Sequence, residues 1–372
     1  MAKMKYPWTK PVFMGKEKQY LCDALSSTWI SGGPYVQKFE KEFGAFIKMP
    51  YVLTTSNGTT ALYLAMLALE IGPGDEVILP GFTFVAAINM VIAAGATPVF
   101  VDIDHDTWCM DTDRVEEAIT SKTKAVCAVH TYGNMCDMDA LKAICRKHGL
   151  FLIEDAAEAV FSYYKGKSAG TFADAGTFSF QATKTMVMGE GGCVAVRSKK
   201  LFTRMALIRS HGMERMEHKP HYWHKVIGHN FRLTNLQAAL GCAQLEQSHT
   251  IIRRKKNVYK AYRKYLENIP GIIMQKFEKE VDPLVWAVAV RIDPKVFGHD
   301  RDGIMAQLSA AGIEPRPGFY PVQSMPVYKR YIRKRLPVSG KISLNVLSLP
   351  SFSTLTETQI KWICGILNKA RR

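Results

Sequence analysis

The sequence predicts an α/β protein in which a mostly parallel central sheet is flanked by helices, followed by a smaller α+β region at the C-terminal end. Three observations predict it. Between residues 51 and 155 short apolar runs alternate repeatedly with helical patterns, the rhythm of a parallel sheet covered on both faces. The apolar runs carry almost no polar alternation, as expected of strands buried on both sides. Beyond about residue 268 the rhythm changes, and a new strand pattern, a helix, a Pro-rich loop and a last helix follow. A chain of 372 residues suits one large and one smaller domain. The expected division is 1–250 and 251–372, with the first thirty or so residues forming an arm that packs on the smaller domain.

Taken in order, YVLTT opens as a strand and hands over at Ser-Asn-Gly to a helix over 58–70 that is apolar nearly all round. EVILP is the next strand, ended by Pro80 and Gly81, with a helix near 84–94 and the strand TPVFVDI after Gly95. A helix near 113–119, the strand KAVCAVH, a helix over 138–148 and the strand LFLIED complete the alternation, and GTFSF and GCVAV add two more strands. One continuous helical pattern runs over 234–266. VWAVAVRI, a helix near 301–311, the loop GIEPRPGFYPVQSMP and a helix near 356–369 make up the C-terminal region.

Composition excludes several classes. Hydrophobic residues are 47% and charged residues 22% of the chain, which is ordinary for a globular protein. The uncharged run 77–101 is long enough to span a bilayer, but Pro80, Gly81, Gly95 and Pro98 divide it into strand, turn, helix and strand. The N-terminus has neither a secretory signal nor a transit pattern. Eight cysteines without a CxxC pair argue for reduced thiols in a cytoplasm, with no metal site and no disulfide framework. The formal charge of +16 and the runs RRKK (253–256) and KRYIRKR (329–335) read as solvated helix faces, since no nucleic-acid-binding signature accompanies them. A basic surface would also attract a phosphorylated small substrate.

Four features together carry chemistry. Ser56, Gly58 and Thr59 stand where a strand meets a helix N-terminus, whose free N–H groups and dipole suit a phosphate, although Ser-Asn-Gly-Thr is also an ordinary cap. Asp155 ends an apolar strand, at the edge where α/β sheets meet their ligands. Lys184 sits in SFQATKTMVMGEGG, with Ser179 five residues before it and a glycine run after it. A lysine, a strand-end acid and anion donors are what pyridoxal phosphate needs: an amine for its carbonyl, a partner for its ring nitrogen and a seat for its phosphate.

With these residues in view, SNGTTAL, GPGDEVILPGFTFVA, VHTYGNMCDMDAL, IEDAAEA, SFQATKTMVMGEGG, HNFRLTNLQAALG and GIEPRPGFYP resemble, in order, the landmarks of the DegT-type nucleotide-sugar aminotransferases. These belong to the aspartate aminotransferase fold, PLP fold type I. Through TWISGG and RPGFYP the pattern is most similar to the GDP-perosamine synthases among them. The resemblance implies that Lys184 bonds the cofactor, that Asp155 partners its ring nitrogen, that Phe84 stacks on it, and that Gly58, Thr59 and Ser179 hold its phosphate, beside Ser56 of the same helix start. Glu158 would lie near its phenolic oxygen, and Asn230 would reach the phosphate from a neighbouring subunit, so that a homodimer shares its sites. Trp29, Ser31, Glu190, Arg316 and Tyr320 fall on the substrate side. The implied reaction moves an amino group from L-glutamate to a nucleotide-linked keto sugar, with GDP-4-keto-6-deoxymannose as the acceptor and GDP-perosamine for a polysaccharide as the product. Gln181, Ala182, Thr183, Gln323 and His229 depart from the perosamine pattern where the sugar would be read, which leaves dTDP- or UDP-linked keto sugars open. A dehydratase of this fold would carry histidine in place of Lys184. A non-catalytic regulator would lose Lys184, Asp155 or the glycine loop.

Overall fold

The computed structural model describes residues 4–214, 218 and 221–371. Its centre is a seven-stranded sheet of β1 (Tyr51–Thr55), β2 (Glu76–Pro80), β3 (Thr97–Val101), β4 (Thr123–Val129), β5 (Phe151–Asp155), β6 (Ala175–Ser179) and β7 (Gly192–Val196). The order across the sheet is β1-β7-β6-β5-β4-β2-β3. Only β7 runs against the rest, pairing antiparallel with both β1 and β6. This one reversal has a consequence for the site. The start of β7 lies at the same edge as the ends of β1, β5 and β6, so the loop carrying Lys184 is delivered to that edge.

The uncharged run 77–101 folds as β2, the helix Ala86–Ala93 and β3, and no described helix is long and apolar enough to cross a membrane. All eight cysteines are free, seven of them buried. Among the described residues no cluster of His, Cys, Asp and Glu could hold a metal ion.

A second core forms around a four-stranded antiparallel sheet of Ile272–Met274, Val288–Ile292, Val346–Leu349 and Arg316–Pro317, in that order, covered by the helix Glu357–Lys369. The first described residues run along it. Tyr6 bridges to Ile313, Trp8 N–H donates to Glu314 Oε2 at 3.0 Å, and the Trp8 indole donates to Ser348 Oγ at 2.9 Å. The helix Glu17–Ser26 then turns away and packs on the helix Asn235–Glu246 beside the large sheet.

The helical pattern over 234–266 is broken at Gln247 into Asn235–Glu246 and Ser248–Leu266. The first piece, with Ala238, Ala239, Gly241, Cys242 and Ala243 all buried, is enclosed in the main core. The second is amphipathic, with a basic outer face. A straight helix would carry that basic face into the core or lift the apolar piece out of it, and the break avoids both.

Lys255, within the RRKK run, departs from the solvated face expected of it. It is 6% exposed and donates from Nζ to Trp286 O at 2.7 Å and Ser351 O at 2.8 Å. Burial pushes its pKa down to about 7, against about 10.4 in an unfolded chain. Between those values the unfolded chain binds a proton that the native chain lacks, so stability rises with pH through this window and is lost as pH falls toward 7. Relative to Lys255→Met, the native sequence should gain about 1 kcal/mol of unfolding free energy per pH unit from pH 7 to 9, read by urea titration. A parallel pair of curves would contradict the assignment.

Candidate active site

A cleft of about 710 Å³ opens at the carboxyl edge of the large sheet and faces the second core. This is the edge where open α/β sheets place ligands. Three strand ends build it. After β1, Asn57 caps the helix Gly58–Ala68 by accepting from Thr60 N–H at 2.9 Å, which leaves the first-turn N–H groups of Gly58 and Thr59 directed at the cleft. β5 ends on Asp155 and β6 on Ser179.

Glycine makes this convergence possible. A Cβ on Gly58 would come within 2.7 Å of Ser179 Cβ, and one on Gly192 within 2.4 Å of Asn57 O. The phosphate seat, the end of β6 and the start of β7 therefore touch only because both positions lack side chains. Between β6 and β7 the chain folds back on itself through Phe180 N–H to Gly191 O at 2.7 Å and Ala182 N–H to Gly189 O at 2.8 Å. Lys184 is presented from the turn of this loop, its own N–H held by Gln181 O at 2.8 Å.

The electrostatics follow from burial. Lys184 Nζ lies 3.9 Å from Glu158 Oε1 and 3.8 Å from the centroid of the Trp286 ring, and no described residue hydrogen-bonds it. Burial pushes the lysine pKa down, against the pull of Glu158 and Asp155. Burial also pushes Glu158 up to about 7, opposed by Lys184 and by the Tyr132 N–H that donates to its Oε2 at 2.8 Å. A lysine so placed gives up its proton more easily than one in water.

Asp155, 6% exposed, has its carboxyl pKa raised by burial, with the Ala157 N–H at 3.1 Å, Lys184 and His130 opposing the rise. Behind it, the His130 main-chain N–H donates to Asp155 O at 3.1 Å. The His130 imidazole pairs with Glu154 at 2.8 Å, and Glu154 also accepts from the N–H groups of Gly170 and Phe172.

The donor set fits pyridoxal phosphate. The hydroxyls of Thr59 and Ser179 line the cleft without a hydrogen bond to any described residue, beside the free N–H groups of a helix start: a seat for a phosphate. Asp155 is a buried carboxylate without a bonded cation, which a protonated ring nitrogen would supply. Phe84 is 56% exposed at the cleft, an open aromatic face for a planar ring. Lys184 and Glu158 line the same cleft.

The structure thus brings Gly58, Thr59, Phe84, Asp155, Glu158, Ser179, Lys184, Glu190 and Arg316 to one cleft. It places five others elsewhere in this chain. Ser56 is turned to Thr60 Oγ1 at 3.1 Å. Exposed Asn230 accepts from Arg232 Nε at 3.1 Å. The carbonyls of Trp29 and Ser31 hold Asn235, and the Tyr320 ring lies 5.5 Å from the Arg301 guanidinium.

Sequence reasoning missed an aromatic wall. Phe319 stacks on Tyr132 (5.3 Å, 7°), Tyr132 on Trp286 (6.3 Å, 19°), and Trp8 meets Trp286 edge-on (5.4 Å, 87°). The one local signal was Tyr132, a non-glycine residue at φ 59° before Gly133, though the angle itself is invisible in sequence.

Comparison with known proteins agrees with this geometry. The pattern of the DegT/DnrJ/EryC1/StrS aminotransferase family matches residues 13–368. The GDP-perosamine synthase of Escherichia coli O157:H7 is 42% identical over 98% of this chain and 99% of its own length, and that of Vibrio cholerae 40% identical over 97% and 98%. A Streptococcus pneumoniae protein described as a sugar aminotransferase is similar in both its PLP and PMP forms. The TM-scores are 0.91 and 0.92, at 26% identity over 98% of each chain. A family match along nearly the whole chain, on a fold shared with a protein solved in its PLP and PMP forms, identifies the chain as a pyridoxal-phosphate-dependent member of the DegT/DnrJ/EryC1/StrS aminotransferase family.

Proposed function

We propose that the chain transfers the amino group of L-glutamate to GDP-4-keto-6-deoxymannose, forming GDP-perosamine. The observation that carries the substrate is the full-length similarity to GDP-perosamine synthases, 42% identical over 98% of this chain. The chemistry is supported by the cleft, where a lysine with 12% of its side chain exposed, the two buried carboxyl groups of Asp155 and Glu158 and a phosphate seat meet.

The residues divide the work as follows. Gly58 and Thr59 N–H groups with the hydroxyls of Thr59 and Ser179 hold the phosphate, and Phe84 covers one ring face. When bound, the cofactor supplies an electron sink conjugated to the carbon that loses its proton. Asp155 keeps the ring nitrogen protonated. Lys184 anchors the cofactor, yields its place to the incoming amino donor, and then as a free amine at Nζ takes the proton from the donor carbon and passes it on. Glu158, near Nζ, balances the charge that the amine gains. Arg316, 57% exposed at the cleft and paired with Glu314, receives an anionic substrate group, and Glu190 faces the sugar.

Asn230 lies outside this chain's cleft and would complete the site of a second copy. Tyr222 (86% exposed) and Ile227 (90%) beside it suggest a covered face in a homodimer. Eight unpaired cysteines suit a cytoplasmic enzyme.

The test supplies purified protein and ¹⁵N-labelled L-glutamate with GDP-4-keto-6-deoxymannose, and separately with dTDP- and UDP-linked 4-keto hexoses, following label into the sugar by mass spectrometry. Label in the GDP sugar alone supports the proposal. Preference for a dTDP or UDP sugar reassigns the acceptor. Bound cofactor without transfer to any of them would indicate a regulator.

A further inference from the structure

One close neighbour of Lys184 has no place in that division of work. Trp286 is 8% exposed and is fixed from several directions. Its main-chain N–H donates to Tyr132 O at 3.0 Å and its indole N–H to Thr183 O at 2.7 Å. Its ring is stacked on Tyr132 and met edge-on by Trp8, and its carbonyl accepts from buried Lys255. Held this way the indole cannot swing aside, and its face lies 3.8 Å from Lys184 Nζ.

Trp286 lines two spaces, as Lys184 and Thr183 also do: the cleft, and a small chamber of about 40 Å³ shared with Thr185, Gln244 and Lys255. That chamber has room for water. The Thr185 hydroxyl is buried without a hydrogen-bond partner among the described residues, a polar atom that would welcome water or an ammonium. Because Lys184 borders both spaces, a lysine released from the cofactor can lie toward either the cleft or the chamber.

We infer that Trp286 is a positioning residue for the reaction, its indole face being the berth that holds Lys184 on the cleft side while the released lysine carries its proton as an ammonium, before and after it acts as a free amine. The physical basis is the attraction between a cation and the negative face of an indole, which grows as both are taken out of water. It works with Glu158, whose carboxylate stands beyond hydrogen-bond reach, and against the burial that would discharge the lysine. The other ionisable groups near Nζ are Asp155 at the strand end, Lys255 behind the Trp286 carbonyl, Lys10 at the chamber, and Glu190, Glu314 and Arg316 at the cleft. None of these is removed by changing the indole, and Lys255 keeps its bond because it is made to the main chain.

The inference rests on Lys184 being the reactive lysine, and the experiment separates the two. In the full-length chain, both stripped of cofactor and after treatment with L-glutamate, the rate of Lys184 acetylation by acetic anhydride is followed against pH by peptide mass spectrometry. In Trp286→Leu the titration should move to lower pH by about half to one unit, so that three- to tenfold more free amine is present at a given pH. Trp286→Phe, which keeps an aromatic face, should recover most of the shift. A purely structural tryptophan would not give that ordering. Should the leucine variant fail to fold, Trp286→Met carries the same comparison. An unchanged titration in the leucine or methionine variant, or a move to higher pH, would overturn the berth while leaving the function of Lys184 intact. Turnover in Lys184→Ala would instead overturn the underlying reading, whatever the titration shows.

Discussion

Lys184→Ala should lose turnover by roughly 10⁴-fold or more, because one substitution removes both the covalent anchor and the proton carrier. The purified native protein should be yellow with cofactor and should lose that band to the near-ultraviolet when L-glutamate is added. The alanine variant should show no such L-glutamate-dependent change. Lys184→Arg is the informative companion. It keeps a positive charge beside Glu158, but a guanidinium does not deprotonate at any working pH and cannot act as an amine. Activity restored by arginine would mean that the site needs only a cation there, which is incompatible with the proposed chemistry. The lowered pKa that burial gives Lys184 is the property arginine cannot reproduce.

Asp155→Asn is the second large effect. Asparagine has nearly the same shape and can still accept the Ala157 N–H bond, 3.1 Å in the native chain, so the fold and the cofactor seat should survive. What disappears is a buried negative charge at the end of β5. Loss of one preorganised electrostatic group at a reacting centre costs on the order of 10²- to 10³-fold in rate. The expected outcome is a fall of that size in turnover per bound cofactor, with cofactor content nearly unchanged. Native turnover in this variant would remove Asp155 from the assignment. Loss of cofactor in step with activity would make Asp155 a binding residue and no more.

Much of the architecture was legible because the relevant physics is local. Strands buried on both faces are mainly apolar, with polar residues gathered at their ends, and YVLTT, EVILP and LFLIED follow that pattern, so their type and order could be read from the chain. Asp155 and Lys184 stood out for the opposite reason, as ionisable groups in stretches that otherwise avoid charge. The phosphate seat was legible in part. Gly58, Thr59 and Ser179 do line the cleft, whereas Ser56, one residue before the Asn57 cap, turns to Thr60 instead.

The failures are as specific. Lys255 reads as one of four solvated cations in RRKK, since charge along a helix carries no mark of which turn faces a neighbouring element. Its burial depends on carbonyls at Trp286 and Ser351, distant in sequence. Trp8, Tyr132, Trp286 and Phe319 were not singled out, because an aromatic that lines a cleft and one that fills a core have the same local pattern. The glycines after Lys184 were legible as a loop, but their use was not. Gly192 lets β7 begin against Asn57, an approach of chain to chain.

By itself, then, the sequence determined the alternation of elements and singled out Lys184, Asp155 and the helix start at Gly58 as candidates, all of which follow from short-range patterns of polarity and backbone freedom. The tertiary structure alone decided the side of the sheet on which the lysine loop emerges, through the single antiparallel strand β7, and the aromatic and charged surroundings of Nζ. Those surroundings come from segments as far apart as Trp8, Tyr132 and Trp286. The effective charge of a buried group is set by what lies within a few ångströms of it in space, and sequence separation says nothing of that.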